Sequence, residues 1–211
     1  MYIAIEGVIG VGKTTLARLL QPSFEAELLL EIFEENPFLS NFYSDRERYA
    51  FQTQIFFLLS RYHQQRRGVR EALDANPWLI SDYTFKKDRL FAEVNLQGDE
   101  LEMYVRVHEA LAEKITPPDL TVYLRADTEV LMQRIAQRDR HYERQMDQNY
   151  IHLVNQAYEN HFAAAANKQL LVINTNDLDY VRRPEDLENI DQRIRQALKM
   201  APFQENLPID I

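Results

Sequence analysis

Apolar residues follow two kinds of pattern along the chain. Five short runs are nearly continuous: Tyr2–Glu6, Glu27–Glu31, Trp78–Asp82, Leu120–Leu124 and Leu170–Ile173. Strands covered on both faces of a parallel sheet read this way, because neither face meets water. Longer stretches between them carry a helical stripe. The clearest is Phe51, Ile55, Leu58, Leu59 and Tyr62, spaced at about 3.6 residues. A second stripe after Pro184 runs through Leu187, Ile190, Ile194, Ala197 and Leu198. Strands alternating with helices predict an α/β fold, a doubly wound five-stranded parallel sheet flanked by helices. No repeat, linker or low-complexity tract interrupts residues 1–211, so a single domain is expected. From Pro202 onward the chain reads as a loosely packed tail.

Composition narrows the chemistry. A formal net charge of −9 without any block of Lys or Arg argues against a nucleic-acid polymer as partner. Anionic substrates must instead be met by a few aimed groups. The absence of cysteine excludes disulfides and thiolate metal sites. The five histidines are scattered. No window approaches the roughly 18 apolar residues that a membrane span needs. The first strand-like run, Tyr2-Ile3-Ala4-Ile5, has no basic segment before it, so no signal peptide and a cytoplasmic location are expected.

Three of only five glycines fall within six residues. Gly7-Val8-Ile9-Gly10-Val11-Gly12-Lys13-Thr14 fits G-x-x-x-x-G-K-[ST], directly after one predicted strand and directly before a helical run that opens with Thr15. In a P-loop of this kind the glycines let backbone N–H groups wrap a phosphate at a helix N-terminus. Lys13 then reaches the outer phosphates of ATP, and the Thr14 hydroxyl binds Mg²⁺. A GTPase would need D-x-x-G, and no glycine has Asp three residues before it. Asn167-Lys168-Gln169-Leu170 begins like a guanine-reading N-K-x-D but ends in Leu.

A P-loop kinase fold also needs an acid for the accepting hydroxyl and cations for the transferring group. Glu31 and Asp82 close two predicted strands, at the end of the sheet where α/β crevices form. Either is a candidate base. Asp82 is equally placed to hold Mg²⁺, directly or through water. Arg134, Arg138 and Arg140 form a cationic segment fit for a lid over phosphates, with Arg134 and Arg138 on one helix face.

These residues together resemble the deoxynucleoside kinase family, which includes deoxycytidine and deoxyguanosine kinases and bacterial deoxyadenosine/deoxyguanosine kinases. The blocks that carry the resemblance are Ile5-Glu6-Gly7, Glu31 with Asn36-Pro37-Phe38-Leu39, Phe42-Tyr43, Tyr49 to Gln54, Leu59-Ser60-Arg61, Asp88 to Ala92, the arginine segment, and Tyr150 with Tyr158-Glu159. The resemblance implies that Glu31 faces the 5′-hydroxyl, that Gln54, Arg61 and Asp88 read the base, and that Tyr43 and Glu143 hold the sugar 3′-hydroxyl. It also implies lid roles for Arg134, Arg138 and Arg140, ATP and Mg²⁺ as cofactors, and a homodimer packed through Phe51–Tyr62 and Met103–Ile115. One departure stands out. Where the family carries Arg after the third-strand acid, this chain has Tyr83. The group that neutralises charge near the 5′-oxygen is thus left open.

The implied activity is ATP-dependent phosphorylation of the 5′-hydroxyl of deoxynucleosides, tilted towards deoxyadenosine and deoxyguanosine. Two alternatives compete with it. A thymidylate-kinase-type enzyme would accept a monophosphate and need a further basic clamp. A non-catalytic kinase-like subunit would show decay of Lys13 or the glycines, which are intact.

Overall fold

The computed structural model describes residues 1–33, 35–144, 146–164 and 169–200. The expected tail from Pro202 and the Asn167-Lys168 pair lie outside the described residues.

All five predicted strands form, as β1 (Tyr2–Glu6), β2 (Glu27–Leu29), β3 (Leu79–Ser81), β4 (Leu120–Arg125) and β5 (Leu170–Asn174). They make one parallel sheet in the order β2-β3-β1-β4-β5. The central strand β1 is buried along its whole length, which explains its unbroken apolar run. β2 and β3 end earlier than the apolar runs suggested. Glu31 and Asp82 therefore sit just beyond the strand ends, in the crevice rather than in the ladder.

Helices cover the sheet: α1 (Lys13–Phe24), α2 (Leu39–Ser44), α3 (Arg46–Ala75), α4 (Lys86–Asn95), α5 (Gly98–Ala112), α6 (Thr128–Arg138), α7 (Gln148–Ala164) and α8 (Pro184–Ala197). A single 3-10 turn at His141–Glu143 links α6 towards α7. Of the C-terminal stripe, Ile190 and Ile194 of α8 are fully buried, Leu187 and Leu198 half-buried, and Ala197 exposed.

The stripe in α3 forms with one exception: Leu58 and Tyr62 lie in the core and Phe51 and Ile55 pack against it, but Leu59 does not. Leu59 is 44% exposed, while Thr53, Gln54, Arg61 and Gln65 are buried. The inner face of this 30-residue helix covers a polar crevice as well as apolar core, so polar residues share burial with the apolar line. Asp45 caps its start by accepting from Arg48 N–H at 3.3 Å. Gly68 lets it cross β2 closely, since a Cβ there would lie 2.8 Å from Leu29 Cδ1.

Candidate active site

The P-loop connects β1 to α1, and its shape follows from its glycines. Gly7, Gly10 and Gly12 have φ of 148°, 88° and 104°, where L side chains are strained. Space is closed as well: a Cβ at Gly12 would meet the Tyr180 hydroxyl at 2.1 Å, and one at Gly10 would meet Ile135 Cγ1 at 2.7 Å. Tyr180 Oη donates to the carbonyls of Val11 and Gly12, both at 3.2 Å, and so props the loop from behind. Val8 and Val11 turn their side chains into the core, while Ile9 and Gly10 line the cavity in front.

α1 begins at Lys13 with no side-chain cap and no acid in its first turn. Its positive end is left for an anion. Lys13 Nζ donates to the carbonyls of Gly7 (2.7 Å) and Val8 (3.1 Å), lying across the loop. Burial, helped by nearby Lys87, pulls its ammonium down to about 8. Thr15 is exposed on α1 and does not line the cavity.

Thr14 Oγ1 donates to Asp82 Oδ2, and Asp82 Oδ1 accepts from the backbone N–H of Glu31 at 2.8 Å. Asp82 thus ties the cradle to the start of the acceptor side. Thr14 and Asp82 offer the small set of hard oxygen donors that Mg²⁺ takes alongside phosphates and water. Among the described residues no three His, Cys, Asp or Glu side chains cluster as a metal cage.

Glu31 lies between two cations. Arg61 Nε donates to its Oε1 at 2.9 Å, with Nη2 on the same oxygen, and Lys87 Nζ donates to its Oε2 at 2.6 Å. Burial alone would raise the carboxyl, but Arg61 and Lys87 outweigh it and hold the group well below the ordinary carboxylate range. Arg61 also donates through Nη1 to Asp88 and lies 4.2 Å over the Phe57 ring.

Lys13, Thr14, Glu31, Tyr43, Gln54, Arg61, Asp82, Arg138, Arg140 and Glu143 all line one cavity. Gln54 is 2% exposed, and among the described residues its amide oxygen has no hydrogen-bond partner. Leaving a buried amide unpaired costs about 1–3 kcal/mol, so the group is kept for something that enters. Tyr43 stacks on Tyr142 with ring centroids 6.3 Å apart, and burial keeps its phenol protonated far beyond neutral pH. Arg138 grips Glu143 with bonds of 2.6 to 3.1 Å, and Arg140 lies 4.2 Å over the Phe33 ring. Both arginines of this segment are thus engaged by other side chains.

Two residues lie outside the cavity lining. Asp88 is fully buried behind Arg61, which it holds through Oδ1, while its Oδ2 has no hydrogen-bond partner among the described residues. Arg134 also lies outside the cavity lining. Its guanidinium donates to the carbonyls of Thr175 (2.6 Å), Leu178 (3.3 Å) and Val11 (3.4 Å), fastening the loop after β5 to the P-loop. Sequence reasoning also missed Lys87, Tyr180 and Phe57. Lys87 had a signal: a cation in the first turn of α4, where the helix dipole disfavours it.

The deoxynucleoside kinase family model matches residues 3–199. Deoxyguanosine kinase of Bacillus subtilis (strain 168) is 32% identical over 206 residues, covering 93% of this chain and 97% of the relative. Deoxyadenosine/deoxycytidine kinase of the same organism is 29% identical over 206 residues, covering 93% and 92%. Among solved structures, deoxyadenosine kinase from M. mycoides with bound dCTP superposes with a TM-score of 0.79 at 26% identity, covering 93% of this chain and 100% of that one. The match over nearly the full length, with the P-loop and acceptor residues on one cavity, leads to one conclusion: this chain belongs to the deoxynucleoside kinase family.

Proposed function

We propose that the chain transfers the γ-phosphoryl group of ATP to the 5′-hydroxyl of a deoxynucleoside, with purines preferred. The observation that carries this reading is that Lys13 and Thr14 of the cradle share a cavity with Glu31, Gln54 and Glu143. Phosphoryl transfer asks mainly for positioning and charge stabilisation, and the cavity is equipped for both. Glu31, ionised between its two cations, accepts a hydrogen bond from the 5′-hydroxyl and orients it. Its low basicity suits a proton taken late, after bonding to phosphorus has made the hydroxyl acidic. Asp82 and Thr14 would hold Mg²⁺, which supplies neutralisation of phosphate charge when bound.

Gln54 presents an acceptor and two donors to the base edge, whichever way the amide is turned. Tyr43 and Glu143 take the sugar. For Glu143 to do so it must leave Arg138, which then turns to phosphate. Both substrates thus compete for parts of one ion pair, Arg138 with Glu143. The names of the similar proteins, deoxyguanosine and deoxyadenosine/deoxycytidine kinases, support a purine nucleoside as acceptor. The same reading gives a cytoplasmic homodimer, for which half-exposed Leu59 on α3 and Met103 on α5 offer apolar surface. The test is product identification. Deoxyadenosine or deoxyguanosine with ATP and Mg²⁺ should yield ADP and the 5′-monophosphate by phosphorus NMR. ADP formation without a 5′-monophosphate would overturn the reading.

A further inference from the structure

We propose that Lys87 is a catalytic residue of this kinase, the fixed cation that meets the transferring phosphoryl group beside Glu31. The inference rests on the functional reading above and adds a residue to it. Lys87 is 6% exposed, yet its side chain lines the same cavity as Lys13 and Arg138. Its Nζ holds Glu31 Oε2 at 2.6 Å, the carboxylate oxygen that Arg61 leaves free. Among the described residues this is the one hydrogen bond its ammonium donates, so two of its three protons remain for another acceptor. Arg61 differs: it is divided between Glu31 and Asp88 and pinned on Phe57.

A cation is also in the wrong place here for its helix. Lys87 stands in the first turn of α4, against the dipole, and is buried among Glu31, Lys13 and Phe91. Local rules broken inside a cavity mark a residue kept for its chemistry. The position that the family resemblance assigns to an arginine cannot act, because Tyr83 is fully buried and its hydroxyl donates to Gln64 at 2.5 Å.

In the step itself, the 5′-oxygen forms a bond to the γ-phosphorus while the bridging P–O bond breaks. ADP leaves with the electron pair, and the hydroxyl proton passes to Glu31. Lys87 stabilises negative charge on the transferring group and, having been held by Glu31 beforehand, needs no reorganisation.

The experiment compares Lys87→Met and Lys87→Arg with the unaltered enzyme, measuring kcat, deoxynucleoside affinity without ATP, and Tm. Met is close in shape and uncharged; Arg keeps the charge. Lys87→Met should lower kcat by about 100-fold or more while nucleoside affinity changes by less than about threefold. Lys87→Arg should retain at least about a tenth of kcat. A kcat for Lys87→Met within about threefold of the unaltered enzyme would overturn the proposal, as would a folded Lys87→Arg as slow as Lys87→Met. If Lys87→Met does not fold, a folded Lys87→Arg that keeps less than about a tenth of kcat would overturn the proposal. Failure of the unaltered enzyme to phosphorylate any deoxynucleoside would instead sink the functional reading.

Discussion

The phosphate cradle and the acceptor pocket share one cavity but are built in opposite ways. The cradle is eight consecutive residues, and most of what it offers is backbone: positive-φ glycines, carbonyls and the open end of α1. The acceptor pocket is assembled from side chains far apart in sequence. Glu31 meets Arg61 across 30 residues and Lys87 across 56. Backbone shape is written in local residue types, because only glycine adopts it. Side-chain convergence depends on where whole elements pack, and a single substitution there can be answered by a residue on another turn.

This contrast orders what should happen when each part is broken. The largest effect belongs to the cradle. Lys13→Ala should cut kcat by at least about 1,000-fold, since a cation in a water-poor site acts where charge develops. The fold should survive, because among the described residues its ammonium bonds only loop carbonyls. Turnover near that of the unaltered protein would contradict the assignment.

Next come the two acids, which sharpen the division between the regions. Glu31→Gln should slow kcat by about 100-fold or more with nucleoside binding largely kept. Asp82→Asn, altering the group that joins Thr14 to the backbone of Glu31, should raise the Mg²⁺ needed for half-maximal rate. If Asp82→Asn is dead at saturating Mg²⁺ and Glu31→Gln is mild, the roles are exchanged.

A smaller effect is pH-dependent. Burial and Lys87 lower the free-enzyme ammonium of Lys13 to about 8. Phosphates bound beside it would raise that value, so binding ATP takes up a proton above pH 8. Affinity for ATP should then weaken as pH rises through 8, by at most about tenfold per unit. The KM for ATP from pH 7 to 9 reads this directly, and a flat profile would remove Lys13 as the titrating contact. The smallest effect concerns the prop behind the cradle. Tyr180→Phe removes a donor shared by the Val11 and Gly12 carbonyls and should cost about 1 kcal/mol of stability, with a modest rise in KM for ATP. Thermal unfolding with and without ATP checks it.

The same contrast explains what could be read in advance. The five strands and the cradle were legible because apolar runs and glycine spacing are local properties. Glu31 and Asp82 could be placed by their position after strands. Gln54, Tyr43 and Glu143 were visible only through family resemblance, since nothing local separates them from an ordinary polar stripe or a core aromatic. Arg134 was read as a contact residue and lies one layer back. Sequence gives the residue but not the direction in which it faces, and its guanidinium is taken up by the carbonyls of the loop after β5. Leu59 fits the helical stripe yet stands outside, because α3 turns a partly polar face inward to cover the crevice. Lys87 went unread because its meaning depends on Tyr83, four residues earlier, and on Glu31, far away.

The central claim is that one cavity joins a phosphate cradle to a pocket for an uncharged purine deoxynucleoside. Its most direct test is kcat/KM for deoxyadenosine, deoxyguanosine, deoxycytidine and thymidine, at fixed ATP and Mg²⁺. A purine deoxynucleoside should rank first and thymidine last, at least about tenfold behind, because Asp88, whose Oδ2 has no hydrogen-bond partner among the described residues, is proposed to accept from an exocyclic amine that thymine lacks. Thymidine as the best substrate would contradict it.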